Sequence, residues 1–211
     1  FYFCPGWDIE FANEIEKIGH KNFYLSGTMV GAGQVYFNAG DTIETFDEEK
    51  LIKNIDKIKT FNFQGTTKCP GLVHKDIWNK VGGWSEEFSP TGGDDTDFAM
   101  KLWQSDVRIF KGLGKSLTYH FGSITTRKKD KSLFTYLGSR ANKIFSRKWH
   151  IGINFFEKFY LNSGMDKNKK LIFNEYIGPL TSPKKNFQYY LELLKCKIFI
   201  LFLILTSYKK N

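Results

Sequence analysis

The sequence predicts an α/β layer fold, and three observations carry that expectation. Apolar runs of strand length alternate with segments in which apolar residues recur every three or four positions. Glycine- and proline-containing clusters separate the two kinds of segment. At 211 residues with 41% hydrophobic side chains, the chain is long enough to bury a core between layers.

Composition narrows the function classes. Aromatic residues reach 17%, with 21 Phe and 10 Tyr, which excludes a disordered chain. The net charge of +9 is unevenly placed. Residues 1–106 hold 10 Lys+Arg against 17 Asp+Glu, and residues 107–211 hold 21 against 5. A basic half of that kind suits a polyanionic partner (nucleic acid, an anionic membrane surface or a phosphorylated substrate) or is a Lys-rich solvated surface. Cys4, Cys69 and Cys196 are far apart and form no Cys-x-x-Cys pair or Cys/His cluster, so zinc-ligand spacing is absent. Reduced thiols in a cytoplasmic location are the simplest expectation, with a peripheral place on a membrane left open by the tail. The opening Phe-Tyr-Phe-Cys-Pro-Gly-Trp-Asp lacks a Met and any signal-peptide pattern. It reads as the end of a buried strand entering a turn, so the chain is expected to start in mid-domain.

Taken in order, Asp8 is expected to cap a helix through Ile18, with Phe11, Ile15 and Ile18 on one face. Residues 23–30 (FYLSGTMV) read as a strand, and Gly31, Gly33 and Gly40 mark loops. Asp47 opens a helix whose buried stripe is Leu51, Ile55 and Ile58. A Cys69-Pro70-Gly71 loop then leads to a short strand at Leu72 and Val73 and a helical turn through Trp78 and Val81. After Gly82-Gly83-Trp84 and an acidic-aromatic loop, a helix is expected at 94–105, followed by two short strands at 107–110 and 116–120. Arg127, Lys128, Lys129 and Lys131 form a basic linker, 133–149 has helical periodicity, and 155–161 and 171–176 are read as short helices. The last segment, from Lys184, ends in the apolar run 198–205.

The most informative stretch is 82–103, GGWSEEFSPTGGDDTDFAMKLW. Three carboxylates, Asp94, Asp95 and Asp97, fall on the first turn of a helix. The helix dipole favours their ionised forms and their mutual repulsion opposes it. A carboxylate so balanced suits a general base, although Asp94 or Asp95 can equally serve as a helix cap. Asp97 lies four residues before Lys101 and shares a face with Asp94. Asp95 lines up with Phe98, Ala99 and Leu102, so it is the carboxylate expected to point inward. Asp95-Thr96-Asp97 is formally an Asp-x-Asp, with a loop before it and a helix after it.

The run VHKDIWNKVGGWSEEFSPTGGDDTDFAMKLW, followed by YHFGS, resembles the second half of a family 2 glycosyltransferase with the GT-A fold. The resemblance spans about residues 1–125 and rests on the order of its parts: Pro5-Gly6-Trp7-Asp8, a Gly-Gly-aromatic turn, an acidic helix start and a later Tyr-His. It implies a GT-A-type, Rossmann-like core represented by its acceptor-side part over 1–126. A basic helical extension over 127–183 and a C-terminal helix over 184–211 would follow. The family's metal-binding Asp-x-Asp is expected upstream of Phe1. Asp95 matches the acceptor-activating acid, and Asp94 its partner, where the family more often has Glu. Gly83 and Trp84 match the turn bordering sugar and acceptor, and His120 matches a residue that reaches the metal and pyrophosphate. Asp97 and Arg127 complete the candidate substrate-binding set with Gly83, Trp84 and Asp94. Arg127 and Lys128 are either pyrophosphate neighbours or a solvated linker.

The resemblance implies transfer of a sugar from a nucleotide-sugar donor to a glycan, lipid-linked or protein acceptor hydroxyl, with inversion, helped by Mn²⁺ or Mg²⁺. The competing classes are a basic nucleic-acid-binding module, which leaves the acidic helix start unexplained, and a nucleotidyltransferase of related fold. Nucleic acid is not the expected partner. The run 198–205 is far short of the ~20 residues that span a bilayer. The tail is therefore expected either to touch an anionic membrane or to pack as an ordinary last helix.

Overall fold

The computed structural model describes residues 1–31, 33–65, 70–89, 92–121, 131–165, 171–172 and 174–208, without the side chains of 131–138, 165, 171–172 and 207–208. Arg127 and Cys69 lie outside the described residues. The elements run β1 (Tyr2–Phe3), α1 (Trp7–Ile18), β2 (Phe23–Gly31), α2 (Glu48–Lys53), α3 (Ile55–Ile58), β3 (Phe63–Gln64), β4 (Gly71–Val73), α4 (Lys75–Val81), a 3-10 turn (Glu86–Phe88), α5 (Asp94–Gln104), β5 (Ile109–His120), α6 (Lys131–Trp149), α7 (Ile153–Phe159), β6 (Gly164–Met165), β7 (Leu171–Ile172) and α8 (Phe187–Tyr208). The architecture is a mixed α/β one.

β5 is the hub of the five-stranded sheet. One edge pairs parallel with β2 from Phe23↔Ile109 to Gly31↔His120. The other edge takes β1 antiparallel near its end and β3 antiparallel near its start. β4 closes the far side of β2. The expected strands at 107–110 and 116–120 are thus one strand, in which the register with β2 steps from Gly27↔Leu113 to Thr28↔Leu117. The three residues between are accommodated as a bulge, and Ser116 Oγ there donates to the Trp7 carbonyl.

Side-chain periodicity accounts for the layers. Phe11 is buried on α1, with Ile15 and Ile18 packed beside it against Phe23, Leu25 and Leu113 of the sheet. Lys111 and Glu14, 2.6 Å apart and both mostly covered, pin the same pair of elements. The N-cap of α1 is Gly6 with no side-chain bond, so Asp8 sits in the first turn rather than capping it. Asp47 does cap α2, accepting from the Lys50 N–H. The helix it opens breaks at Asn54, whose side-chain amide donates to the Lys50 carbonyl, so Ile55 and Ile58 belong to α3. The described residues of the segment expected to be helical at 171–176, 171–172 and 174–176, are not: β7 pairs with β6, and Glu175 bridges Phe63.

The largest apolar cluster joins α5 to the C-terminal helices, with Phe98, Leu102 and Trp103 meeting Phe145, Phe155, Phe156 and Tyr189 across Tyr24 and Phe110 of the sheet. This cluster fixes the orientation of α5, and with it the carboxylates at its start. No helix among the described residues is long and apolar enough to cross a membrane.

Candidate functional site

The turn before α5 is set by α4. His74 opens that helix, its Nδ1 accepting the Asp76 N–H at 3.1 Å, a cap the sequence reading missed. α4 ends at Gly82, and Gly83 follows with φ +61, a left-handed conformation. A Cβ on Gly83 would stand 2.7 Å from the Trp78 indole. The Lys101 ammonium donates to the Gly83 carbonyl at 2.9 Å. Held in this way, the turn lays Trp84 flat on Phe98, ring centroids 5.3 Å apart and planes 15° apart. Trp84 remains 36% exposed.

Trp84 divides two clefts. One, of about 410 Å³, is lined by Trp84, Ser85, Glu86, Phe88, Ser89, Gly92 and Asp94. The other, of about 390 Å³, is lined by Trp84, Trp78, Phe98, Tyr24 and Lys75 with the residues of β4. An aromatic wall with a few polar groups is the usual make-up of a small-molecule site.

The acidic helix start distributes its three carboxylates unequally. Asp94 lines the first cleft, and burial, then the neighbouring Asp95 charge, raises its carboxyl above the ordinary Asp value. Asp95 is half-buried beside it, with Oδ1 accepting the Thr96 N–H at 2.8 Å. Asp97 is the one with no exposure at all. Asp95, expected to point inward, is half-buried, and Asp97, expected to pair with Lys101, is the more deeply buried of the two. The Asp97–Lys101 pair forms, at 3.9 Å, but it forms under cover.

The cover is α6. Asp97 Oδ2 accepts from Ser85 Oγ at 2.7 Å and from the Lys148 ammonium at 3.0 Å, and Oδ1 accepts the Trp149 indole N–H at 2.6 Å. Lys148 also reaches Glu87 at 2.6 Å. Burial alone would lower the Lys148 pKa, but hydrogen bonds with Glu87 and Asp97 outweigh it and hold the ammonium above its ordinary value. The opposite holds at Lys101, where burial dominates and lowers it. Ser85, Lys148 and Trp149 are the residues that sequence reasoning missed; no local signal links positions 51 and 52 apart in the chain.

His120 is elsewhere. It ends β5, stacks on Phe1 with centroids 4.7 Å apart, and lines a separate cleft of about 160 Å³ with Tyr119, Phe121, Asn38 and Asp41. The structure brings Gly83, Trp84, Asp94, Asp95 and Asp97 together at one end of α5, and His120 does not line their cleft. Among the described residues no group of three His, Cys, Asp or Glu side chains is placed to hold a metal ion.

No protein-family model, curated protein or solved structure matches the chain.

Proposed function

We propose that the chain is the acceptor-side part of a GT-A-type, family 2 glycosyltransferase and that the cleft beside Trp84 seats the acceptor. The observation that carries this reading is the juxtaposition of an exposed, backed indole with a carboxylate at the opening of α5. A sugar ring presents C–H groups to an aromatic face, and Trp84 is held flat on Phe98 with part of its surface left to solvent. A carboxylate lining the same cleft supports proton removal from an acceptor hydroxyl seated on the ring.

In this reading Asp95 takes the proton from the acceptor hydroxyl. The freed oxygen attacks the anomeric carbon of the nucleotide-sugar, and the bond to the diphosphate breaks, so that a nucleoside diphosphate leaves with inversion at the carbon. Mn²⁺ or Mg²⁺ enters through the resemblance alone. A specific observation favours a second assignment within the same chemistry: Asp94 is the carboxylate that lines the cleft, and its raised pKa suits a base.

The test is release of nucleoside diphosphate from a panel of nucleotide-sugars with added Mn²⁺ and mixed glycan acceptors, run on the chain and on Asp94→Asn and Asp95→Asn. Acceptor-dependent release that falls in one variant assigns the base. Release unaffected by either substitution overturns the proposal.

A further inference from the structure

The C-terminal helix has two apolar faces, and only one of them is used. Through Tyr189, Leu193, Cys196, Ile200 and Leu203, α8 contributes to the protein interior or packs against its neighbours. At 3.6 residues per turn these positions share one side. On the opposite side Phe187, Leu191, Leu194, Ile198, Leu201 and Leu205 recur at alternating spacings of four and three. All six are exposed, from 42% at Leu191 to 84% at Phe187, and Tyr190 and Phe202 broaden the stripe. The stripe runs from Phe187 to Leu205 along α8, about 27 Å at 1.5 Å per residue.

We infer that α8 is an interfacial anchor, its outer face lying in the surface of an anionic lipid bilayer while its inner face holds it to the protein. An exposed apolar patch of this length marks an interaction surface, and charge selects the occupant. Lys195 and Lys197 are exposed and fall on the two flanks of the stripe, about 80° from its centre on either side. There their stems run along apolar material and their ammonium groups reach headgroups. Lys184 and Lys185, both exposed, extend the basic charge ahead of the helix. Glu192, the helix's one acid, pairs with Lys195 at 2.9 Å on the side turned from the stripe. A second copy could also match the spacing of four and three, but it would bring together two halves that each hold 21 Lys+Arg against 5 Asp+Glu. An anionic leaflet attracts that half. Nucleic acid would attract it too, but has no use for a ridge of leucine, isoleucine and phenylalanine. Glu192, Lys195 and Lys197 interrupt the helix at bilayer depth, so it lies in the plane of the surface.

The experiment is co-sedimentation of the whole chain with vesicles of phosphatidylcholine, with and without one third phosphatidylglycerol, at low and high salt. Pelleting with anionic vesicles alone, weakened by salt, is expected. Ile198→Glu with Leu201→Glu abolishes it, and both side chains face solvent, so the core is untouched; far-UV circular dichroism checks this. Lys195→Ala with Lys197→Ala lowers the partition coefficient roughly thirty-fold while leaving the apolar ridge intact. Equal pelleting with both vesicle types, or none at low salt, overturns the inference. So does a lipid-free dimer in sedimentation velocity that Ile198→Glu dissolves, which would make a second copy the occupant. None of these readouts depends on transferase activity.

Discussion

The indole N–H of Trp149 donates to Asp97 Oδ1 at 2.6 Å, tying the last turn of α6 to the first turn of α5. With Lys148 and Ser85 on the other oxygen, the Asp97 carboxylate clamps α5 to residues of α6 more than fifty positions further along the chain.

Removing a buried acceptor leaves its donors short of a partner. Asp97→Ala leaves the Trp149 N–H without its acceptor and Lys148 with only Glu87 and Ser85, and should cost about 1–3 kcal/mol of stability. Asp97→Asn keeps the shape and one acceptor oxygen, so its loss should be smaller. Urea denaturation midpoints of the two variants check the order, and equal midpoints would contradict the clamp.

Asp94 gives a pH signature of known sign. Its folded pKa is raised, so its contribution to stability is full below the unfolded carboxyl value of about 3.9 and is lost as pH rises through the higher folded value. At neutral pH the ionised group is held at a disadvantage. Asp94→Asn should therefore stabilise the protein at pH ~7 by a few tenths of a kcal/mol, the order of like-charge neighbours on a helix. At pH ~3, where Asp94 is already neutral, the gain should vanish. Thermal unfolding at the two pH values reads the difference, and a variant less stable than the parent at neutral pH would reverse the sign.

Gly82 and Gly83 should respond unequally to alanine. Both have positive φ, +76 and +61, but a Cβ on Gly82 meets nothing within 4 Å, whereas one on Gly83 meets Trp78 at 2.7 Å. Gly82→Ala should cost about 1–2 kcal/mol for the left-handed conformation alone. Gly83→Ala should cost roughly 1–3 kcal/mol more, because the indole must move. Fluorescence-monitored denaturation also reports the Trp78 environment directly, which should change only in the second variant.

On the proposed chemistry, Asp95→Asn should lower turnover by roughly 10²–10⁴, the usual contribution of a general base, while the nucleotide-sugar still binds. Trp84→Ala should instead weaken the acceptor, seen as lost saturation transfer from protein to glycan. His120→Ala should leave that transfer intact, because His120 lines a different cleft. A loss of glycan binding in His120→Ala would mean that the two clefts act as one.

Much of the chain was legible because local chemistry decides it. Phe11, Ile15 and Ile18 form the inner face of α1, Asp47 caps α2, and the start of α5 falls at Asp94 after two glycines. The facing of α5 was not legible. A helical wheel fixes angles between side chains, but not which side meets the rest of the protein. The helix is buried continuously from Thr96 to Met100, Asp97 included, because α6 and α7 cover what a two-layer fold would leave wet. β5 was expected as two pieces, 107–110 and 116–120, with the glycine-containing Lys111-Gly112-Leu113-Gly114-Lys115 between them. The glycines are there for room: the Phe63 ring lies over Gly112, and the backbone of Thr60 and Phe61 lies against Gly114.

The placement of β5 also sets an order of events. Its partners β1, β2 and β3 all precede it, and the parallel pairing with β2 joins residues 86 positions apart, Phe23 with Ile109. During synthesis those strands emerge without the edge they need, so the sheet can close only after Ile109–His120 has left the ribosome. Contacts of such long sequence separation fold slowly. Until then β2, with seven of its nine residues from Phe23 to Gly31 destined for burial, is the segment most in need of a chaperone.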